Sequence, residues 1–303
     1  RKDGRELDLA EFAGHRESLL RLGVRNVVLT GGEPLLHSNL EALCEFLKDC
    51  GVRITLLTTG LLLKKKAVMV AKGVDEIIVS LDGPEELHDQ VRRIKGAYRL
   101  IGDGIREVRR INSGMPIHGR STVQKANHRL LRLTVAAAKA IGLDSISFLA
   151  ADATSQAFNR ELVWPGEKQN QIMLTRHEVR VLEEEVEALI AENAADFNGH
   201  YIRESAAKLR RIVGRFREYL GELEPIAPRC NAPWVSAVME VDGGVRPCFF
   251  HRRIGSTQGS SLDEVINGDE ARSFRSLLNV DENPTCRRCV CSLNYDQSPE
   301  SQA

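Results

Sequence analysis

Apolar runs alternate with amphipathic segments along the first half of the chain. Short runs rich in β-branched residues predict strands, and apolar residues spaced three or four positions apart predict helices. The predicted strands cover 27–29, 53–58, 76–81, 117–123 and 145–149, and the predicted helices cover 8–22, 40–50, 64–72, 99–111 and 130–141. Strands that alternate with helices indicate parallel pairing through right-handed crossovers. The pattern therefore predicts an α/β fold, either a doubly wound sheet or a β/α barrel.

The first predicted strand contains Val27, Val28 and Leu29 without an intervening polar residue. A continuous apolar run of this kind is typical of parallel strands that are covered on both faces. We therefore expect this strand to be buried on both sides. The helix over 8–22 has no strand before it, so a closed barrel needs at least one strand upstream of Arg1.

Polar and glycine residues follow four of the five predicted strands. The four endings are Thr30-Gly31-Gly32-Glu33-Pro34, Thr58-Thr59-Gly60, Ser80-Leu81-Asp82-Gly83 and Ser121-Thr122-Val123-Gln124. These endings favour one shared site, because β/α barrels place their active sites at the carboxyl ends of their strands. The two adjacent glycines allow a ligand to approach the backbone closely, and Glu33 adds a charge to the same place. A simple Gly-Gly-Glu-Pro turn is the alternative.

The β-α alternation ends after residue 149, and Trp164-Pro165-Gly166 marks a predicted boundary. Two predicted helices, the second over 201–220, then form a helical connector. Segments around Asp242-Gly243-Gly244 predict a hairpin, and a polar tail that we expect to be disordered follows the last cysteine. We predict a β/α domain over 1–165, the connector over 166–225 and a small cysteine-rich hairpin domain over 226–303.

The 303 residues include 42 basic and 42 acidic side chains, which gives a formal net charge of zero. This balance gives no electrostatic reason to expect a nucleic-acid partner. No apolar run approaches the roughly 20 residues that span a bilayer, so we expect no membrane association. The seven cysteines, five of them between Cys230 and Cys291, favour metal binding in a reducing compartment over disulfides. We therefore expect a cytoplasmic protein.

Four cysteines form a candidate metal site. Cys230 and Cys248 flank the predicted hairpin, and Cys286 and Cys289 form a CxxC pair. Four thiolates suit either zinc or an iron–sulfur cluster. Zinc ribbons usually have two CxxC pairs and this chain has one, which favours iron–sulfur. Cys291 is a possible substitute ligand.

Together, these motifs resemble the radical SAM enzymes that carry a C-terminal auxiliary-cluster domain of the Twitch or SPASM type. The resemblance rests on Gly31-Gly32-Glu33-Pro34, on Ser80-Leu81-Asp82-Gly83 followed by His88-Asp89-Gln90-Val91-Arg92, and on the spacing of Cys230, Gly243, Cys248 and Cys286-x-x-Cys289. It implies a partial (β/α)6 TIM-like barrel that binds S-adenosylmethionine (SAM) beside a three-cysteine [4Fe–4S] cluster. The four later cysteines would then hold an auxiliary [4Fe–4S] cluster.

The resemblance also implies roles for individual residues. Gly31, Gly32 and Glu33, followed by Pro34, would meet the methionine amino group of SAM. Arg92 would bind the methionine carboxylate, although an ordinary exposed helix arginine is the alternative. The remaining candidates are Ser80, close to the carboxylate or the ribose, Thr59 at the second strand end, and Val123 beside the adenine.

One family motif is missing from the chain. The CxxxCxxC that holds the SAM-cleaving cluster would lie just before Arg1, so we expect it on upstream residues and do not expect this chain alone to generate the radical. The full-length enzyme would cleave SAM to a 5′-deoxyadenosyl radical and abstract hydrogen from a peptide, cofactor precursor or small metabolite. The auxiliary cluster would assist electron transfer, and flavodoxin or ferredoxin would donate electrons.

Two other functions fit parts of the sequence. One is a catalytically silent barrel that keeps a structural zinc or iron–sulfur site and acts as a binding module. The other is an ordinary barrel hydrolase or aldolase, which would need a lysine or paired acid–base groups at the strand ends. Glu33 and Asp82 lack a convincing partner set for that chemistry, so we rank this function last.

Overall fold

The computed structural model describes residues 5–157 and 162–295. Their helices are α1 Leu9–Ala13, α2 Arg16–Arg21, α3 Leu40–Asp49, α4 Leu63–Gly73, α5 Glu85–Arg92, α6 Ala97–Ile111, α7 Leu131–Ala140, α8 Gly166–Ile172, α9 Arg176–Glu192, α10 Ala194–Asn198, α11 Ala206–Tyr219, α12 Ala232–Val235, α13 Leu262–Asn267, α14 Asp269–Leu277 and α15 Pro284–Arg287. A short 3-10 helix spans Pro34–Leu36. The predicted polar tail lies largely in 296–303, outside the described residues.

The strands form two sheets. The larger sheet contains β1 Asn26–Leu29, β2 Arg53–Thr58, β3 Glu76–Ser80, β4 Ile117–Val123 and β5 Ser145–Ala150, and the smaller contains β6 Val238–Met239, β7 Gly244–Arg246 and β8 Gly255–Ser256. All neighbours in the larger sheet are parallel, and those in the smaller sheet are antiparallel. The five predicted parallel strands and the predicted hairpin are thus confirmed.

The strands of the larger sheet lie in the order in which they occur in the chain. Right-handed crossovers between such strands carry every connecting helix to the same face of the sheet. The other face, which we call the open face, consequently keeps partly exposed side chains. In β4, for example, Ile117, Gly119, Ser121 and Val123 are buried, whereas the residues between them are not.

The expectation that the first strand is buried on both faces is wrong. β1 pairs with β2 alone among the described residues, and Val28 is 49% exposed. A strand at the edge of a sheet has a neighbour on one side only, which leaves its side chains poorly covered. The apolar run predicted the strand correctly but could not reveal its position in the sheet.

Two further features differ from the predicted pattern. The single helix expected over 8–22 is divided into α1 and α2, because the chain turns at Gly14 and His15. In the second half, a short extended segment pairs with β5 through a parallel bridge between Ile146 and Ile202. This segment follows α10 and adds a sixth position to the sheet.

The chain contains two compact units. One, the barrel unit, comprises residues 25–153 and 164–223 and includes the larger sheet with α3 to α11. The other, the cysteine unit, comprises the described parts of 1–24, 154–163 and 224–303. Within the cysteine unit, Asp263 accepts hydrogen bonds from Ser18 and Arg21, so its first and last segments are joined directly. The three predicted domain boundaries stay a prediction.

Candidate functional site

The carboxylate of Glu33 joins the ends of β1 and β2. One oxygen accepts hydrogen bonds from the Leu35 amide (3.1 Å) and the Thr58 hydroxyl (2.6 Å). The other accepts from the amide (2.8 Å) and hydroxyl (2.5 Å) of Thr59. A carboxylate has about four acceptor sites, so these bonds within the chain fill them. Glu33 therefore shapes the turn that follows β1 and holds Thr59 in place.

Gly31 leaves the backbone of this turn accessible. Its φ angle is +125°, a conformation that side-chain-bearing residues rarely adopt, and no atom lies within 4 Å of the position that a Cβ would occupy. Gly31 and Gly32 are both exposed, whereas Pro34 is buried. The turn thus offers open backbone beside an anchored carboxylate, as the Gly-Gly-Glu-Pro sequence predicted.

A second carboxylate, that of Asp82, lies just beyond β3. Arg92 donates to both its oxygens, through Nε at 2.6 Å and a terminal nitrogen at 3.2 Å. The backbone amide of Asp82 donates to Nδ1 of His88, which is completely buried. Burial acts to raise the pKa of Asp82, but His88 and Arg92 outweigh it and hold that pKa below its ordinary value. Asp82 is therefore charged at neutral pH and fixes the Arg92 guanidinium.

Asn127 connects the ends of β3 and β4. Its side-chain amide donates to the carbonyls of Asp82 and Thr122, both at 3.0 Å, and its side-chain oxygen accepts from the Gln124 amide at 2.8 Å. Asn127 is only 2% exposed. Sequence reasoning missed this residue, because its contacts lie on two different strands. We call Gly31–Glu33, Thr58–Thr59, Asp82, Arg92 and Asn127 the rim.

Ser80 and Val123 occupy different faces of the sheet. Ser80 is half-buried at the end of β3, on the open face. The Val123 side chain is fully buried on the helix-covered face, so Val123 can present only its backbone to a ligand at the rim. Thr122, its neighbour, has its side chain on the open face.

The four predicted cysteine ligands all lie in the cysteine unit. Burial raises the pKa of Cys286 to about 11, and negative charge at Cys248 and Cys230 adds to the effect. The pKa of Cys289 is also raised, first by burial and then by Cys291, Cys248 and Cys230. Cys230 and Cys248 thus act on the pKa values of both Cys286 and Cys289.

Two further groups contact these thiols. Nε2 of His251 lies 3.2 Å from Sγ of Cys286, and its ring packs edge-on against Phe274 with centroids 4.9 Å apart. The Cys289 thiol donates to the carbonyl of Cys291 at 2.9 Å. Among the described residues, no three or more His, Cys, Asp or Glu side chains are arranged to hold a single metal ion. The assignment of the four cysteines to an iron–sulfur cluster, whose ligands are cysteine thiolates, therefore stays a prediction.

Comparison with known families finds two matching segments in the chain. The model of the radical SAM superfamily matches residues 1–122, and the model of an iron–sulfur cluster-binding domain, SPASM, matches residues 230–290. The two matches support a radical SAM enzyme with a C-terminal SPASM domain. These two domains imply SAM and [4Fe–4S] clusters as cofactors.

Individual relatives agree with this assignment. An AdoMet-dependent heme synthase of Methanosarcina barkeri is 31% identical over 140 residues, which is 45% of this chain and 40% of that protein. The chain thus covers less than half the length of this curated relative.

Solved structures support the fold. The structure of anSMEcpe with bound AdoMet has a TM-score of 0.66 and 17% identity, and the match covers 93% of this chain and 78% of the other. Streptococcus suis SuiB bound to the precursor peptide SuiA has a TM-score of 0.56 and 14% identity, with 93% and 64% covered. The predicted partial TIM-like barrel is thereby confirmed. The described part of the chain has no helix with the length and apolar character that crossing a membrane requires.

Proposed function

We propose that the full-length protein is a radical SAM enzyme and that this chain supplies its SAM rim, its substrate-facing sheet and an auxiliary cluster site. When bound, SAM and a reduced cluster supply a 5′-deoxyadenosyl radical that abstracts a hydrogen atom from the substrate. The observation that carries the proposal is the open glycine turn beside two fully engaged carboxylates, within the segment that matches the radical SAM family. Such a rim is built before a ligand arrives.

The rim residues have distinct roles in this proposal. Because internal bonds fill the acceptor sites of the Glu33 carboxylate, the backbone carbonyls of Gly31, Gly32 and Glu33 receive the methionine ammonium. Pro34 starts the following turn, and Thr59 keeps the glutamate in place. A charged carboxylate nearby favours the ammonium even without direct contact.

Arg92 binds the methionine carboxylate. The bonds to Asp82 use two of its five N–H donors, and 28% of its side chain is exposed, so donors remain for a second anion. Ser80 is the last residue of β3, two positions before Asp82. There it meets the carboxylate or ribose of SAM. The backbone at Val123 borders the adenine.

The four thiolates of Cys230, Cys248, Cys286 and Cys289 hold the auxiliary cluster, which assists electron transfer. Its reduction potential depends on hydrogen bonds to the sulfurs and on exposure, so the His251 contact with Cys286 contributes to it. A flavodoxin or ferredoxin is the proposed electron donor, and the cytoplasm is the proposed compartment. The proposed substrate is a peptide or a small molecule, since anSMEcpe and SuiB are both solved with bound peptides.

The test is anaerobic reconstitution of the full-length gene product with iron, sulfide, a reductant and SAM, followed by measurement of 5′-deoxyadenosine. We expect this product from the wild type. Arg92→Gln should weaken SAM binding in calorimetry by about tenfold, the loss of one charged hydrogen-bonded contact. Arg106→Gln, which alters an exposed arginine paired with Asp103 on α6, is the matched control and should not change SAM affinity. A fully loaded enzyme that forms no 5′-deoxyadenosine would contradict the proposal and leave the silent binding module as the better account.

A further inference from the structure

The open face of the larger sheet carries a row of polar residues beside the rim, one residue beyond the level of Thr58. Strand register places Ser80 of β3 beside Arg120 of β4, and Arg120 beside Ser147 of β5. The bridge between Ile146 and Ile202 places Arg203 next in the same row, because residues that follow bridged neighbours share a level. Successive strands lie about 4.8 Å apart, so the two arginines are separated by roughly 10 Å along the row.

Arg120 has most of its hydrogen-bonding capacity free. It is exposed, and its Nε donates weakly to the Ser147 hydroxyl at 3.5 Å. Ser147 in turn donates to the carbonyl of Gly119 at 3.2 Å, which holds the hydroxyl in place. Within the described residues, no carboxylate lies within ion-pair distance of Arg120. The two terminal nitrogens of the guanidinium, with about four N–H donors, therefore have no described partner.

Arg203 is in a similar situation. Its backbone amide bonds to Ile146, but its exposed side chain forms no ion pair with any described residue. The bridge at Ile202, which is buried, places exposed Arg203 on the open face. Burial lowers the pKa of nearby His118, and Arg203 acts in the same direction against the opposing charges of Glu76 and Asp144. The row thus concentrates positive charge.

Glu76, at the start of β3 on the open face, is already engaged. Glu76 accepts a hydrogen bond from Thr55 at 3.2 Å and lies 3.5 Å from Nε2 of His118 and 3.9 Å from Arg53. It lies nearer the amino ends of the strands than the row does. The carboxylate of Glu76 consequently does not neutralise the two arginines.

We propose that Arg120 and Arg203 bind an anionic oxygen group of the substrate, a carboxylate or a phosphate, on the open face of the sheet. The planar guanidinium matches both groups through paired hydrogen bonds, and an anion between two arginines relieves their mutual repulsion. Through the register, Arg120 lies one residue beyond the level of Thr58 and two strands away from it, or roughly 10 Å along the sheet. The anion would therefore anchor the substrate beside the rim, on the β4 side of Ser80. This substrate assignment rests on the proposed function, but the anion site itself can be tested separately.

Inorganic phosphate and acetate are the probes for this site. We expect each to bind the full-length protein measurably in calorimetry at low ionic strength, and Arg120→Gln to weaken the tighter of the two by about tenfold, which corresponds to 1.4 kcal/mol. Arg203→Gln should have a similar effect. Arg120→Lys should have a smaller effect, because it keeps the charge but loses the paired hydrogen bonds. Arg272→Gln, at an exposed arginine of α14 for which no ion pair is described, is the matched control and should bind as the wild type does. Tighter phosphate binding indicates a phosphorylated substrate, and tighter acetate binding indicates a carboxylic acid.

Three results would overturn the proposal. The wild type could bind neither anion, or Arg120→Gln could bind both as tightly as Arg272→Gln does. Alternatively, Arg120→Gln could lower SAM affinity as much as Arg92→Gln does, which would place Arg120 in the nucleoside site. Unchanged SAM affinity and unchanged 5′-deoxyadenosine formation without substrate in Arg120→Gln would support it and confirm correct folding. The wild type could also form no 5′-deoxyadenosine but bind the anion, with the binding lost in Arg120→Gln. The proposed reaction would then fail while the anion site stands.

Discussion

The rim and the cysteine site handle buried charge in opposite ways. At the rim, each carboxylate meets donors from its own chain: Glu33 accepts four hydrogen bonds, and Asp82 pairs with Arg92. In the cysteine site, like groups face one another, and the pKa values of Cys248, Cys286 and Cys289 are all raised. The rim is thus complete without a ligand, whereas the cysteine site becomes favourable for thiolates only when positive metal charge is present.

The largest expected effect separates the two regions by metal content. Cys248→Ser should remove one cluster, about four iron atoms with their sulfides, from the reconstituted full-length protein. Iron and sulfide analysis measures this, and SAM affinity should change little. Cys44→Ser is the matched control, since Cys44 is a buried helix residue of the barrel unit. Stoichiometric zinc without iron or sulfide in the wild-type cysteine unit would refute the cluster assignment.

The next effect belongs to the rim alone. Asp82→Asn should lower the free energy of unfolding of the barrel unit by about 2 kcal/mol, because it weakens charged hydrogen bonds at a side chain that is 4% exposed. It should also weaken SAM binding, since Arg92 loses its anchor, while iron content stays unchanged. Chemical denaturation and calorimetry measure the two effects. Asp103→Asn, at a more exposed carboxylate on α6, should change neither quantity appreciably. An equal loss of stability in both variants would show that the Asp82 network is not special.

The third prediction concerns pH. Asp82 has a lowered pKa, so its contribution to stability is present above its ordinary pKa of 3.8 and is lost as the pH falls through the lower folded-state value. Cys286 has a pKa raised from 9.0 to about 11, so in the metal-free protein its contribution is present below pH 9 and is lost as the pH rises through 11. Acid should therefore lower the free energy of unfolding of the barrel unit. Alkali should lower that of the metal-free cysteine unit.

The two tryptophans allow the units to be followed separately. Trp164 lies in the barrel unit and Trp234 in the cysteine unit. Denaturation of Trp234→Phe and Trp164→Phe, each followed by the fluorescence of the remaining tryptophan, should give opposite pH dependences. Asp82→Asn should flatten the acid limb and Cys286→Ala the alkaline limb. If the acid and alkaline limbs of the stability profiles stay unchanged in these variants, other groups cause the pH effects.

The smallest expected effect is on the reduction potential of the auxiliary cluster and not on the assembly of that cluster. His251→Leu removes the imidazole that lies 3.2 Å from the Cys286 sulfur, so the auxiliary cluster should still assemble but with a lower reduction potential. Redox titration followed by electron paramagnetic resonance measures the potential. Exposed His177 on α9 provides the control variant His177→Leu, which should leave it unchanged. Loss of iron in His251→Leu would mean that the histidine is needed for assembly.

Local patterns were sufficient to predict the five parallel strands and the glycine turn. They were insufficient wherever the outcome depended on which elements became neighbours. The edge position of β1 and the single bridge at Ile202 have no periodic signal. The pairing of Asp82 with Arg92 joins the turn after β3 to the last residue of α5. One signal was present but not used: His118, Arg120 and Thr122 alternate with buried residues in β4 and mark the open face.

The sequential strand order has a consequence for how such a protein can change over evolutionary time. The proposed nucleoside contacts lie mainly in turns at the ends of the strands, whereas the proposed substrate contacts lie on strands, on the face opposite the described crossover helices. Exchanging a single outward-facing strand residue there leaves both the turns and the buried core intact. In the proposed enzyme, new substrate preferences can therefore arise by point mutation while the SAM rim stays unchanged.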